Sequence, residues 1–145
     1  RLPPERRRIA LMFQDPLLFA HMSVGENLRF GMPRHLGGEQ KRQRVADALA
    51  GAGLSGFEAR DPATLSGGQK ARVALLRALV SEPAALLLDE PFSKLDTDLR
   101  QAFRAFVVDA CQQAGVPVVQ VTHDQQDALA LGGRCIELKD LQSKR

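Results

Sequence analysis

Short apolar runs that stop at polar residues alternate along this chain with stretches of helical spacing. Arg8 to Phe13 (RIALMF) follows a polar turn, reads as a strand, and delivers Gln14 to a loop closed by Asp15-Pro16. Ser23 can cap a helix through Phe30, because Glu26 three residues on completes a capping box and Gly31 supplies a stop. Val45, Leu49 and Ala52 recur at i, i+4 and i+7, which predicts a second helix from Glu39 to about Ala52 with Lys41, Arg42 and Arg44 among its polar positions. Gly51, Gly53 and Gly56 break it. A third helix covers Lys70 to Ser81.

Beyond Pro83 the rhythm changes. Ala84 to Leu88 is a continuous apolar run, too short for a helix and bounded by proline and carboxylates, which suits a buried parallel strand. Asp96 or Thr97 opens a helix whose Leu99, Phe103, Phe106, Ala110 and Ala114 line one apolar face, and Gly115 ends it. Pro117 to Val121 is a further buried strand that presents Thr122-His123-Asp124 at its end. A short helix from Gln125 to Leu131 stops at Gly132-Gly133, and Cys135 to Leu138 completes the pattern as a last strand. The expected fold is α/β, a mainly parallel sheet with a helical insert between Gln14 and Pro83. Polar residues recur where its strands stop, the place where open sheets form ligand crevices.

Two stretches carry the chemistry. Leu65-Ser66-Gly67-Gly68-Gln69 directly precedes the third helix. Free amides at a helix start attract anions, glycines let a phosphate approach the backbone, and the Ser66 hydroxyl can donate a further hydrogen bond. A serine that merely caps and glycines that merely turn would explain Ser-Gly-Gly alone. They do not explain its place shortly before Leu86-Leu87-Leu88-Asp89-Glu90-Pro91, an apolar strand ending in two carboxylates. Asp89 can hold hydrated magnesium, which prefers oxygen ligands. On an extended backbone Glu90 faces the opposite way, free to act as general base or water-positioning group toward a terminal phosphate. Together these point to a nucleoside triphosphate bound to magnesium.

Two further polar groups follow strands. The His123 imidazole can donate to a phosphate oxygen, and the Gln14 carbonyl can reach magnesium or the attacking water. His21 and His35 stand at no strand end and read as structural. No G-x-x-x-x-G-K-[ST] loop occurs in the 145 residues.

Composition narrows the partners. Hydrophobic residues at 44% and charged residues at 26% describe an ordinary globular chain. A net charge of +3, with neither Trp nor Tyr, leaves little to stack on bases, so nucleic acid is not an expected partner. The clusters Arg6-Arg7-Arg8 and Lys41-Arg42-Gln43-Arg44 read as solvated faces. Cys111 and Cys135 stand in no metal-ligand spacing and among apolar neighbours, which predicts buried reduced thiols in a cytosolic protein. No run of about 18 apolar residues is present, so no membrane span is expected. The opening Arg1-Leu2-Pro3-Pro4 resembles the middle of a domain, and a part preceding it is expected.

In this order the motifs resemble the nucleotide-binding subunit of an ATP-binding cassette (ABC) transporter, from Arg8 to about Leu138. Gln14 matches that family's Q-loop, Leu65 to Gln69 its signature, Leu86 to Asp89 the Walker B strand, Glu90 the catalytic glutamate, Ser93-Lys94-Leu95-Asp96 the D-loop and His123 the switch histidine. The stretch Leu18 to Leu28 is similar to the segment after the Q-loop in bacterial importer-type subunits.

The resemblance implies a partial P-loop NTPase (RecA-like) core built from residues 1–14 and 83–145, with a helical signature subdomain, residues 15–82, inserted between Q-loop and signature. It implies ATP and Mg2+ as cofactors, the metal on Asp89 and Gln14, and catalysis by Glu90, His123 and Gln14. Ser66, Gly67, Gly68, Gln69 and Asp96 would complete the ATP site of a second nucleotide-binding subunit. The implied partners are that subunit, a membrane-spanning permease and a solute-binding protein, at the cytoplasmic face of a bacterial membrane. The expected activity is an ATPase that energises transport and is complete only with a Walker A part. The alternative is a truncated, non-catalytic module that docks a permease or full-length partner and supplies only the signature. Two departures from the family pattern stand out: Lys94 replaces a small D-loop residue, and Gly132-Gly133 replaces the usual Ala-Asp.

Overall fold

The computed structural model describes Pro3 and residues 6–137. Three strands, β1 (Ile9–Met12), β2 (Ala85–Asp89) and β3 (Val118–Val121), form one parallel sheet in the order β1-β2-β3. Its register pairs Leu11 with Leu87 and Leu87 with Val119, so all three strands stop at nearly the same level. Among the described residues five helices accompany the sheet: α1 (Val24–Gly31), α2 (Gly38–Gly51), α3 (Gly67–Leu79), α4 (Thr97–Ala114) and α5 (Gln125–Ala130). A 3-10 turn, Pro62–Thr64, leads into α3, and the Asp61 side chain caps it.

Helix starts follow their capping codes. Ser23 and Glu26 exchange side-chain and backbone hydrogen bonds at the start of α1, the reciprocal box expected from the sequence. Ser66 and Gln69 do the same for α3, which therefore begins at Gly67 rather than Lys70. Both signature glycines lie inside its first turn. Asp96 caps α4, and Gly115 ends it with φ of 62°, the left-handed conformation that glycine adopts without a Cβ penalty.

Gly31 is not the stop that the sequence suggested. It is the last residue of α1, with Met32 as the C-cap. A Cβ at this position would lie 2.7 Å from the Arg77 carbonyl oxygen, so glycine here lets α1 approach α3 closely.

Two apolar clusters meet on α3. Its Ala71, Ala74 and Leu75 join Met12, Leu86, Leu88, Phe92, Phe103, Val107 and Cys111 under the sheet. Its Val73 and Leu76 join Val24, Leu28, Val45, Leu49 and Leu54 among the helices. The face of α4 that reaches the core carries Phe103, Val107 and Cys111, an i, i+4, i+8 line. Leu99 and Ala114, expected on that face, are exposed because α4 rolls toward the Val107 side.

Among the described residues the sheet is covered on one side only. Met12, Leu86 and Leu88 turn inward, whereas Val119 is 58% and Val121 56% exposed on the other face beside Ile9 and Leu11. This corrects the expectation that Pro117 to Val121 is a buried strand: alternation along a strand sends every second side chain to the open face. Cys111 is buried as expected and burial raises its thiol pKa, but Cys135 is exposed. Cys135 to Glu137 form no strand, and Leu138 lies outside the described residues.

The close approach of α1 to α3 is testable with two glycines. Gly31→Ala drives a methyl into the Arg77 carbonyl and is expected to cost about 1–3 kcal/mol in denaturant unfolding. Gly38→Ala, with nothing within 4 Å of the added Cβ, is expected to be neutral or to stabilise by up to about 1 kcal/mol. Equal effects at the two sites would contradict the packing assigned to Gly31.

Candidate functional site at the strand ends

The carboxyl ends of the strands gather Gln14, Asp89, Glu90 and His123. Asp89 is the last residue of β2, pairs with Val121 in register and is exposed. Glu90 follows with φ of 47°, outside the extended region, while its N–H still donates to the Val121 carbonyl at 2.9 Å. This left-handed turn replaces the simple alternation expected from sequence. It costs on the order of 1–2 kcal/mol for a residue with a Cβ.

The turn brings Glu90 to His123. Glu90 Oε1 lies 2.8 Å from His123 Nδ1, and the imidazole is 77% exposed while the carboxylate is 20% exposed. The hydrogen bond and charge of Glu90 raise the His123 pKa above its ordinary value, and Asp124 adds to this while Arg100 opposes it. The other carboxylate oxygen, Glu90 Oε2, is buried with no hydrogen-bond partner among the described residues. A buried acceptor left open in this way calls for a donor.

Gln14 reaches the same region by another route. Its Nε2 donates to Ser93 Oγ at 2.8 Å, and that hydroxyl donates to the Glu90 carbonyl at 3.1 Å. The Gln14 amide thus spends its nitrogen on the loop after Glu90, and its carbonyl oxygen can still act as an acceptor or ligand. Lys94 does not project alone from this loop but folds back onto Asp15 in an exposed ion pair.

The signature residues form their own arrangement. Ser66 Oγ accepts from the Gln69 N–H at 3.2 Å, and Gln69 Oε1 accepts from the Ser66 N–H at 3.0 Å. Both side chains therefore secure the helix start, leaving the exposed Ser66 hydroxyl hydrogen to donate. The turn lies beside the loop before α4 and the first turn of that helix: a Cβ on Gly67 would meet Leu95 at 4.0 Å, and one on Gly68 would meet Leu99 at 3.5 Å. Asp96 accepts from the Leu99 N–H at 3.0 Å as the cap of α4.

One group escaped the sequence reading. Asp127 on α5 is 1% exposed and takes Arg100 on both of its oxygens, with Arg104 on Oδ1. Arg100 and Arg104 also face Asp124, at 3.4 and 3.8 Å. The i, i+4 arginines and the i, i+3 aspartates were visible in the sequence, but nothing local showed that they pair.

A parallel α/β sheet whose strands end in amide, carboxylate and imidazole groups, with a glycine-rich helix start nearby, is the apparatus of a phosphate-handling NTPase domain. The family model described as ABC transporter matches residues 1–93, and the chain belongs to the ABC transporter family. It is 56% identical over 129 residues to the ABC transporter ATP-binding protein YnjD of Escherichia coli K12, covering 89% of this chain and 59% of that protein. It is 49% identical to the spermidine/putrescine import ATP-binding protein PotA of Acidothermus cellulolyticus, over 92% of this chain and 35% of that one. The chain thus spans roughly a third to three fifths of the length of these relatives.

Solved structures agree on the fold. A dimeric ATP-binding cassette in a post-hydrolysis state, bound to ADP and Pi, matches with a TM-score of 0.70 and 32% identity, over 88% of this chain and 60% of that one. cbiO1 from Clostridium perfringens, part of the cbiONQ ABC transporter complex, matches with a TM-score of 0.73 and 35% identity, over 82% and 48%. The fold is therefore the α/β fold of ABC ATP-binding domains.

The Glu90–His123 contact predicts a pH dependence. The folded-state pKa of His123 is raised, so the pair's stabilisation is fully present below the ordinary histidine value and is lost as pH rises through the raised value. Titration of the His123 ring by NMR should give a higher midpoint in the native protein than in Glu90→Gln. Identical midpoints would show that the two groups do not touch in solution.

Proposed function

We propose that this chain is part of the ATP-hydrolysing subunit that energises solute import across a bacterial membrane through a partner permease. The observation that carries the reading is the divided Glu90 carboxylate: Oε1 is engaged by His123, and Oε2 is buried and without a partner among the described residues. That is the disposition of a carboxylate held by one oxygen while the other remains an open acceptor. Relatives support the transport context, since proteins 44–49% identical to this chain are named import ATP-binding proteins for spermidine/putrescine and for Fe(3+) ions. Relatives of similar identity are named for different solutes, which supports a reading in which the partners select the solute.

The residues fit ATP and magnesium by donor chemistry: an exposed carboxylate on Asp89, a spare amide oxygen on Gln14, and an open acceptor on Glu90. Bound ATP supplies the terminal phosphoryl group, and magnesium offsets its charge. Asp89 and Gln14 Oε1 would hold the cation. Glu90 Oε2 orients the attacking water and takes its proton. Glu90 Oε1 fixes a proton on His123 Nδ1, and the protonated ring can then donate from Nε2 to a phosphate oxygen. Ser66, Gly67, Gly68 and Gln69 would offer hydroxyl and backbone donors to the nucleotide of a second subunit, with Asp96 at the contact between subunits.

In this reading residues 15–82 are the helical signature subdomain, between core segments 1–14 and 83–145. Gln14 and that subdomain couple to the permease, and a solute-binding protein delivers the cargo. The subunit sits on the cytoplasmic face, held by the permease. Among the described residues no helix is long and apolar enough to cross a membrane.

Glu90→Gln in the full-length subunit is expected to lower ATP turnover by at least about a hundredfold while ATP binding is retained. Phosphate release and equilibrium nucleotide binding measure the two. Turnover at the native rate would remove Glu90 from this role.

A further inference from the structure

We infer that Asp127 is a positioning residue: clamped by Arg100 and Arg104, it fastens the helix that follows His123 to the helix that starts at Asp96, and so sets where the imidazole meets Glu90. The geometry follows from α-helical spacing. Asp96, Arg100 and Arg104 stand at i, i+4 and i+8, so the cap of α4 and its two guanidinium groups share one side of the helix.

Across from them, Asp124 caps α5 through the Gln126 and Asp127 N–H groups at 2.8 and 3.0 Å, one residue after His123. Asp127 lies one turn further, at 1% exposure. A carboxylate this buried persists only when paired, and here two arginines bind it, Arg100 bidentately. β3 contributes as well, for the Gln120 amide donates to the Asp127 carbonyl at 3.3 Å.

The clamp also sets the field at the imidazole. Among the described residues, Glu90 at the end of β2, Arg100 on α4 and Asp124 at the cap of α5 act on the charge of His123. Arg100 opposes protonation of His123, and the charge of Glu90 acts on Arg100 in turn. Held by Asp127, the guanidinium is kept from competing with His123 for Glu90. Without Asp127, Arg100 is free to take Glu90, and α5 loses its anchor to α4. The loop before α4 carries the residues proposed to meet a second subunit, so the same clamp links that contact to His123. The catalytic meaning of this link rests on the function proposed above; the clamp itself does not.

The test uses the full-length protein with Asp127→Asn and Arg104→Gln. In Asp127→Asn the NMR titration midpoint of His123 should fall toward that of Glu90→Gln. ATP turnover should drop about ten- to a hundredfold while KM for ATP changes less than about threefold. Arg104→Gln, at a partly exposed position, should shift the midpoint in the same direction by a smaller amount, and it decides the matter if Asp127→Asn does not fold. A folded variant whose His123 midpoint equals the native value overturns the inference. A native protein with the raised midpoint but no ATPase activity overturns the proposed function and leaves the clamp standing.

Discussion

Hydrogen bonding of β2 to a parallel neighbour on each side is the constraint on which the remaining geometry depends. Because β1, β2 and β3 are in parallel register and end together, the residues after each strand leave the sheet on one level. Gln14, Glu90 and His123 come from points in the chain up to 109 residues apart and are brought to one end of the sheet in this way. The Val121 carbonyl completes the arrangement by accepting the Glu90 N–H, which holds the left-handed turn that aims the carboxylate at the imidazole. A parallel sheet end concentrates polar groups where backbone pairing stops, which explains why a short acidic pair can serve as a site rather than as a solvated turn.

Helix α3 carries this order outward. Its first turn is the signature, and its next two turns supply side chains to both apolar clusters. Further along, Arg77 donates to the Leu17 carbonyl at 2.6 Å and to Asn27 Oδ1 at 3.2 Å, so the segment after Gln14 is tied to the same helix. Asn27, fully buried, gathers the Phe19, Met22 and Ser23 carbonyls with its amide nitrogen. One helix thus connects the glycine-rich turn, the sheet and the loop that bears Gln14.

Much of this was legible in local code. The Ser23–Glu26 box, the β2 run ending at Asp89, the Asp96 cap and the Gly115 stop each follow from a few adjacent residues. The start of α3 was also encoded, as Ser66 and Gln69 at cap and N3, but the glycines between them were read as a turn. What escaped needed tertiary information. The inward line of α4 runs through Phe103, Val107 and Cys111, and apolar spacing alone could not choose it over a line through Leu99 and Ala114. Gly31 resembles a terminator in sequence, and its packing role shows only against Arg77. Glu90 and His123 were each legible as candidate site residues, but their contact depends on the Glu90 turn. Asp127 was invisible because its arginines lie 23 and 27 residues away.

The central claim is that the strand ends and the signature act on one triphosphate in a cleft between two subunits. The most direct measurement is a crystal structure of the full-length Glu90→Gln protein trapped with ATP and magnesium. The account predicts Gln14, residue 90 and His123 of one subunit around a terminal phosphate that the partner's Ser66-Gly67-Gly68 turn contacts from the other side. A nucleotide bound away from the Glu90 position, or a signature turn facing solvent in the closed dimer, would contradict it.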